Sequence, residues 1–195
     1  MEIRVRIVQD REFISSPFTF NVQEEMKKVL DFFKSELNII FDLEVRRWDG
    51  GIHPSAPDFL QEELRKYGHG QEVVDIFRSL KAQGEKGDPS AGICIGFTGK
   101  IVYKGFAKDR GKIAFAFWDD EYSNILFILI GLCEIQEIPP ANIIIHELLH
   151  LLGAFDIYDD RMSIMNNFPR YNCLYIDKDN RDAINEVIEL IKKNS

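Results

Sequence analysis

The feature that most constrains this chain is the stretch from Ile143 to Asp156, which reads IIIHELLHLLGAFD. Most of its residues are apolar, which predicts a buried helix. On a helix, positions four apart share a face, so His146 and His150 project side by side. Two imidazoles and the Glu147 carboxylate are costly to bury unless something satisfies them. The pattern therefore predicts a site that holds a metal ion.

The residues that follow the histidines supply the rest of a catalytic zinc site. Gly153 lets the chain leave the helix, because glycine accepts a left-handed backbone, and the turn can bring Asp156 back as a third ligand. Three protein ligands with an open fourth position are typical of a catalytic zinc ion. We therefore predict one Zn²⁺ on His146, His150 and Asp156, with Glu147 as the general base that acts on a water molecule.

The extended motif H-E-x-x-H-x-x-G-x-x-D resembles that of the metzincin zinc metalloproteases, whose last position is His or Asp. Aspartate is the minority form there and is similar to that of the snapalysin-type proteases. The resemblance identifies Met165 as the methionine of the turn that supports the zinc. Some metzincins have a tyrosine two residues later, where this chain has Asn167, and Tyr158 and Tyr171 lie off that pattern. The resemblance implies a zinc metalloendopeptidase that acts on peptides or proteins.

Predicted strands and helices alternate along the remaining chain. Residues 2–9 alternate apolar side chains with Arg4 and Arg6, which predicts a half-buried strand. Asn21 and Glu24 form a predicted capping box for a helix that ends near Asn38. Further strands are predicted at 39–48, 91–98, 112–118 and 122–131, with 101–107 either a strand or an extended loop. Further helices are predicted from Pro140 to about Leu152 and at 177–193.

The segment 112–118 alternates large and small side chains, with Ile113 and Phe115 separated by Ala114 and followed by Ala116. The pattern alone favours an interior strand and an edge strand equally. The segment is similar to the antiparallel edge strand with which metzincins pair their substrate. An edge strand has unpaired N–H and C=O groups to which a peptide can add. The resemblance thus implies that residues 113–116 bind substrate.

The element order predicts an α/β fold that resembles the metzincin catalytic domain. Its expected form is a twisted mixed sheet of four to five strands with one antiparallel edge strand, backed by helices. With 195 residues, the chain fits a single catalytic domain over 1–195. Two short helical patterns predict a helical insertion at about 49–90. His53 and His69 in that insertion are predicted to be solvated loop residues rather than ligands of a second metal.

Charge and composition limit which binding partners and which cellular compartment we expect. Lysine and arginine number 24 against 32 aspartates and glutamates, a net charge of −8 that disfavours nucleic acid and anionic membranes. The N-terminus lacks a signal-peptide pattern, and the longest apolar run is too short to span a bilayer. Three cysteines at these spacings do not indicate a disulfide framework. We expect a cytoplasmic protein, with a mature secreted form as the open alternative.

Two other functional classes remain open. A zinc-dependent single-strand endoribonuclease of the rRNA-maturation type has the pattern H-x3-H-x5-H, and this chain shares its two histidines and Gly153. It departs from that pattern at Asp156, and Glu147 has no counterpart there. A domain that binds metal without catalysis is the third class, and it would not need Glu147.

Overall fold

A computed structural model describes residues 1–48, 80, 92–103, 114–117, 126–133, 138–159, 161–166 and 173–194. In these ranges the chain has the predicted mixture of helices and strands. The strands are β1 (Glu2–Asp10), β2 (Ile40–Trp48), β3 (Ile93–Tyr103), β4 (Ala114–Phe117) and β5 (Leu126–Cys133). The helices are α1 (Arg11–Ser15), α2 (Val22–Leu37), α3 (Pro140–Leu151) and α4 (Lys178–Asn194).

The chain divides into two compact units. The sheet unit comprises residues 3–19 and 41–135 and contains the sheet and α1. The helical unit comprises residues 1–2, 20–40 and 136–195 and contains α2, α3 and α4. The single catalytic domain over 1–195 stays a prediction. Of the predicted insertion at 49–90, only Leu80 is described, so His53 and His69 lie outside the described residues.

The sheet has the strand order β2-β1-β3-β5-β4. Strand β3 runs parallel to both β1 and β5, with Ile95 opposite Ile128 of β5. Strand β4 is antiparallel to β5 and, among the described strands, is the last on that side of the sheet, with Ala116 also opposite Ile128. The separate segments predicted at 91–98 and 101–107 contribute to one strand, β3, whose register shifts between Phe97 and Val102.

The prediction that β1 is half-buried is wrong. Four consecutive residues, from Val5 to Val8, are buried, and Arg6 is fully buried. Successive side chains of a strand point to opposite faces, so both faces of β1 are covered over this stretch. The Arg6 guanidinium donates a hydrogen bond from Nε to Glu44 of β2 at 3.0 Å, which satisfies part of its charge away from water. The alternating sequence pattern therefore did not predict the burial of this arginine.

The helical unit follows the predicted pattern closely. Asn21 caps α2, accepting hydrogen bonds on its side-chain oxygen from the N–H groups of Gln23 and Glu24. The helix ends at Asn38, which adopts the left-handed conformation with φ 53°. Helix α3 is buried over most of its length, as the apolar motif predicts, and α4 buries Ile184 and Ile188. No helix in the described ranges has both the length and the apolar character needed to cross a membrane.

Candidate metal centre

Helix α3 presents both histidines of the motif on one face. The rings of His146 and His150 meet edge to face, with centroids 4.7 Å apart and Nε2 atoms 3.1 Å apart. Pro140 occupies the first turn, where a main-chain N–H would have no partner within the helix, so its absence costs nothing. Buried Glu25 of α2 accepts a hydrogen bond from the N–H of Ala141 at 3.0 Å. A carboxylate at this end complements the helix dipole, so α2 secures the start of the motif helix.

The chain reverses direction immediately after α3. The N–H of Gly153 donates to the carbonyl of His150 and the N–H of Ala154 to that of Leu149, both at 3.0 Å. This pair of bonds is the Schellman motif. Gly153 has φ +90°, and a Cβ on it would lie 2.8 Å from Val187 of α4, so glycine is required here. The reversal also places the Ala154 carbonyl 2.9 Å from His150 Nδ1.

The predicted methionine turn, residues Ser163–Asn166, contacts the other imidazole. The carbonyl oxygen of Ile164 lies 2.8 Å from His146 Nδ1. Met165 is fully buried, and its carbonyl accepts a hydrogen bond from the N–H of Ile157 at 2.8 Å. The turn is thus attached to a candidate ligand through its main chain. Support of a bound ion by the Met165 side chain stays a prediction.

Three side-chain atoms converge in front of α3. Oδ1 of Asp156 lies 3.2 Å from Nε2 of His146 and 3.4 Å from Nε2 of His150. Among the described residues these three form the group of acidic and imidazole side chains close enough to share a metal ion. Ligand atoms that surround a tetrahedral ion at about 2.0–2.1 Å lie about 3.3 Å from one another. The observed separations therefore match the edges of such a tetrahedron.

The hydrogen bonds of the two rings indicate that these atoms favour a positive charge between them. A carbonyl oxygen can only accept, so the Nδ1 atoms of His146 and His150 carry ring protons, and in the neutral imidazoles the Nε2 atoms keep lone pairs. Oδ1 of Asp156 is buried and receives no hydrogen bond when both rings are neutral. Three electron pairs therefore face one another at short range, which is unfavourable without a positive charge. The residues fit a metal ion in both geometry and protonation.

The charges of the site agree with that requirement. Burial by itself would raise the pKa of Asp156, but the two imidazoles, when protonated, bond to the carboxylate and hold its pKa far below its ordinary value. Burial would lower the pKa of His150, yet the Asp156 carboxylate, the Ala154 carbonyl and the charge of Glu147 together raise it. The cluster therefore favours positive charge at the point where its atoms converge.

Glu147, the predicted general base, follows His146 on α3 and is only 9% exposed. Its carboxylate is near enough to His150 for its charge to raise the pKa of that imidazole. A buried carboxylate beside two candidate ligands is suitably placed for proton transfer. Its catalytic role stays a prediction.

Tyr158, which lies off the sequence pattern, contacts the candidate third ligand. Its hydroxyl donates to Oδ2 of Asp156 at 3.3 Å, a distance at the long end for such a bond. The charge of Asp156 raises the pKa of Tyr158. Asn167 and Tyr171, the other residues considered for this position, lie outside the described residues.

The residues predicted to bind substrate belong to the sheet unit. Ala114, Phe115 and Ala116 lie in β4, whereas Ile113 falls outside the described residues. Strand β4 pairs with β5 in the antiparallel sense. Pairing of β4 with a substrate stays a prediction.

The sequence patterns missed the connection among three buried polar residues close to the candidate ligands in the fold, namely Ser163, Asp177 and Asn180. Asp177 was recognised only as the start of a helix. Two polar side chains in the first turn of an otherwise amphipathic helix were the available signal, but it also describes an ordinary helix cap. Their partners are distant in sequence and become apparent only in the fold.

Comparison with known proteins gives little to set beside this geometry. No protein-family model matches the chain, and no curated protein matches it. A solved structure with a related shape is metalloproteinase-II from Bacteroides fragilis, at a TM-score of 0.48 and 14% sequence identity. The match covers 95% of this chain and 53% of that one, so this chain spans about half the length of that protein. A likeness this distant carries no weight for function, which we infer from the site alone.

Proposed function

We propose that the protein is a zinc-dependent peptidase. The observation that carries the proposal is the convergence of Nε2 of His146, Nε2 of His150 and Oδ1 of Asp156, beside the buried carboxylate of Glu147. A site that only stores metal has no need of a buried glutamate next to its ligands. Peptide hydrolysis needs one, because a proton must leave the attacking water and reach the departing amine.

The donor set favours zinc over the other divalent metals. Two imidazoles and one carboxylate suit zinc, whereas calcium and magnesium prefer oxygen ligands alone. His146, His150 and Asp156 would hold the ion and leave a fourth position open for water or substrate. When bound there, zinc lowers the pKa of a water ligand towards about 7 and polarises a carbonyl group.

Each residue of the chain then has a separate part in hydrolysis. The Glu147 carboxylate takes a proton from the water whose oxygen attacks the carbon of the peptide carbonyl. As the C–N bond breaks, Glu147 returns that proton to the nitrogen, which leaves as an amine. The Ile164 and Ala154 carbonyls keep the ring protons of His146 and His150 on Nδ1, so that both Nε2 atoms remain able to bind.

We propose that substrate binds along strand β4. Strand β4 would accept a peptide as an additional strand, because an edge strand has unpaired main-chain groups on its outer side. Residues 113–116 are the candidates for this contact. The predicted insertion at 49–90 would limit which substrates reach these residues. We propose that the whole chain, 1–195, is a single catalytic domain. We expect peptides or proteins, and neither nucleic acid nor membranes, as partners.

The decisive experiment compares the zinc-loaded protein with its Glu147→Gln variant on a diverse peptide mixture read by mass spectrometry. We expect the wild type to cleave and the variant to lose at least about 100-fold in rate while still binding zinc. Glu186→Gln, which changes an exposed glutamate of α4 in the same way, is the matched control and should cleave normally. Equal cleavage by wild type and Glu147→Gln would remove Glu147 from its role.

The same proteins separate the two alternatives. A zinc-bound wild type that cleaves structured RNA but no peptide would indicate the endoribonuclease. A wild type that binds zinc and cleaves neither substrate would indicate a non-catalytic metal domain. No contact within the described residues favours either alternative over the peptidase.

A further inference from the structure

We infer that Asp177 and Asn180, in and just before the first turn of α4, are positioning residues that hold both halves of the metal centre together. The inference rests on the metal site of the proposed function but not on peptide hydrolysis. Asp177 is 5% exposed and Asn180 is fully buried, so neither is an ordinary surface cap. Their hydrogen bonds reach the segment that carries the third ligand and the turn that holds the first histidine.

The side chain of Asn180 forms two hydrogen bonds with the main chain next to Asp156. Its Oδ1 accepts a hydrogen bond from the N–H of Phe155 at 2.7 Å, and its Nδ2 donates to the carbonyl of Phe155 at 3.1 Å. A side-chain amide that bonds both main-chain groups of one residue replaces a strand partner at that point and restricts the backbone there. Phe155 lies between Ala154, whose carbonyl bonds His150, and Asp156. Asn180 thus restrains the backbone that leads to two ligands.

Asp177 connects Asn180 to the methionine turn through hydrogen bonds. Its Oδ2 accepts hydrogen bonds from Nδ2 of Asn180 at 2.9 Å and from the hydroxyl of Ser163 at 2.7 Å. The Ser163 oxygen in turn accepts from the N–H of Met165 at 3.1 Å. Burial would raise the pKa of Asp177, but the bonds from Asn180 and Ser163 lower it, so the carboxylate stays ionised as an acceptor.

The hydrogen-bond partners of Asp177 and Asn180 are therefore each adjacent in sequence to a residue whose carbonyl orients a histidine. Ile164, whose carbonyl contacts His146, lies between Ser163 and Met165. Ala154, whose carbonyl contacts His150, precedes Phe155. A single carboxylate connects the two segments, so a shift in either one disturbs the spacing of all three ligand atoms. Residues behind metal ligands that act in this way typically contribute a factor of about 10–100 to metal affinity.

The test is the zinc affinity of Asn180→Ala, measured by competition with a chromophoric chelator. We expect the zinc dissociation constant to rise by about 10- to 100-fold, although all three ligand side chains remain. We also expect the visible absorption of the Co²⁺-loaded variant to change, because that spectrum reports ligand geometry. Asn185→Ala removes an exposed amide from the same helix and should leave both readouts unchanged.

Loss of folding must be separated from loss of positioning. Denaturant unfolding of the metal-free variants gives the folded fraction, and the zinc dissociation constant is corrected for it. If Asn180→Ala does not fold, Ser163→Ala replaces it, because it removes one hydroxyl of the same network. A corrected dissociation constant and a Co²⁺ spectrum equal to those of wild type would overturn the inference.

The outcome is independent of peptidase activity. Zinc binding that weakens in Asn180→Ala would support the inference even if the wild type cleaved no peptide. Normal cleavage with unchanged zinc binding in the variant would overturn the inference and leave the proposed function standing. A wild type that binds neither zinc nor Co²⁺ would overturn both.

Discussion

Buried Asp10 of the sheet unit and half-buried Asp156 of the helical unit differ in what surrounds their oxygens. Asp10 of the sheet unit ends β1 and accepts hydrogen bonds from the N–H groups of Phe13 and Gly99 and from the hydroxyl of Thr98. Asp156 of the helical unit accepts one long bond, from Tyr158 to Oδ2. Its Oδ1 faces the Nε2 atoms of two imidazoles and receives no hydrogen bond when both rings are neutral.

The difference separates a structural carboxylate from a candidate metal ligand. The hydrogen bonds to Asp10 cap α1 and tie it to β3, so this carboxylate contributes to stability. Buried polar atoms in native proteins are almost always satisfied, so an unsatisfied carboxylate oxygen indicates a missing partner. At Asp156 the geometry fits a cation as that partner. Each expectation below tests whether the two carboxylates can be separated in this way.

The largest expected effect is that of Asp156→Ala on zinc affinity. Removal of one of three ligands should raise the zinc dissociation constant by more than about 100-fold, since even residues behind the ligands contribute 10- to 100-fold. Denaturant unfolding of the metal-free variant gives its folded fraction, and the zinc dissociation constant is corrected for it. Asp159→Ala, an exposed neighbour, is the control. A variant with wild-type zinc affinity would exclude Asp156 as a ligand.

For Asp10→Ala we expect a loss of stability without a change in zinc affinity. It removes the cap of α1 and leaves the Gly99 N–H and the Thr98 hydroxyl without this partner, so the free energy of unfolding should fall by about 2–4 kcal/mol. The zinc dissociation constant of the folded fraction should stay unchanged. Asp42→Ala, an exposed aspartate of the same unit, should cost far less. A selective loss of zinc affinity in Asp10→Ala would erase the distinction between the two carboxylates.

Glu25→Ala extends the comparison to the helical unit. Glu25 is a buried carboxylate that accepts a hydrogen bond from the start of α3, the helix of the candidate ligands. Loss of its bond to Ala141 should lower the free energy of unfolding by about 1 kcal/mol, measured in denaturant. Glu24→Ala, its exposed neighbour on α2, provides the control. A stability loss no larger than that of the control would show that Glu25 does not secure the start of α3.

The smallest expected effect is that of Tyr158→Phe. The bond to Oδ2 of Asp156 is long and exposed, so its loss should raise the zinc dissociation constant by no more than about threefold. Chelator competition with Tyr175→Phe as the control measures this change, since Tyr175 is similarly exposed. A tenfold or larger rise would mean that Tyr158, rather than the network behind the site, sets the orientation of Asp156.

The sequence by itself determined the features of the site that depend on local geometry. The spacing of His146 and His150 needs only the period of a helix, and the turn at Gly153 needs only a left-handed residue at the helix end. The helices predicted around Asn21, Pro140 and Asp177 are present because caps and apolar faces are local signals. These signals were sufficient to select the three atoms that converge.

Only the tertiary structure decided what surrounds those atoms. The burial of Arg6 depends on cover over both faces of β1, which its alternating pattern could not indicate. The contacts of Asn180 with Phe155 and of Asp177 with Ser163 join residues that are 25 and 14 positions apart. Such contacts leave no periodic trace in a sequence, because they depend on how separate segments pack. The motif therefore predicts the candidate ligands, whereas the hydrogen-bond network behind them emerges only from the fold.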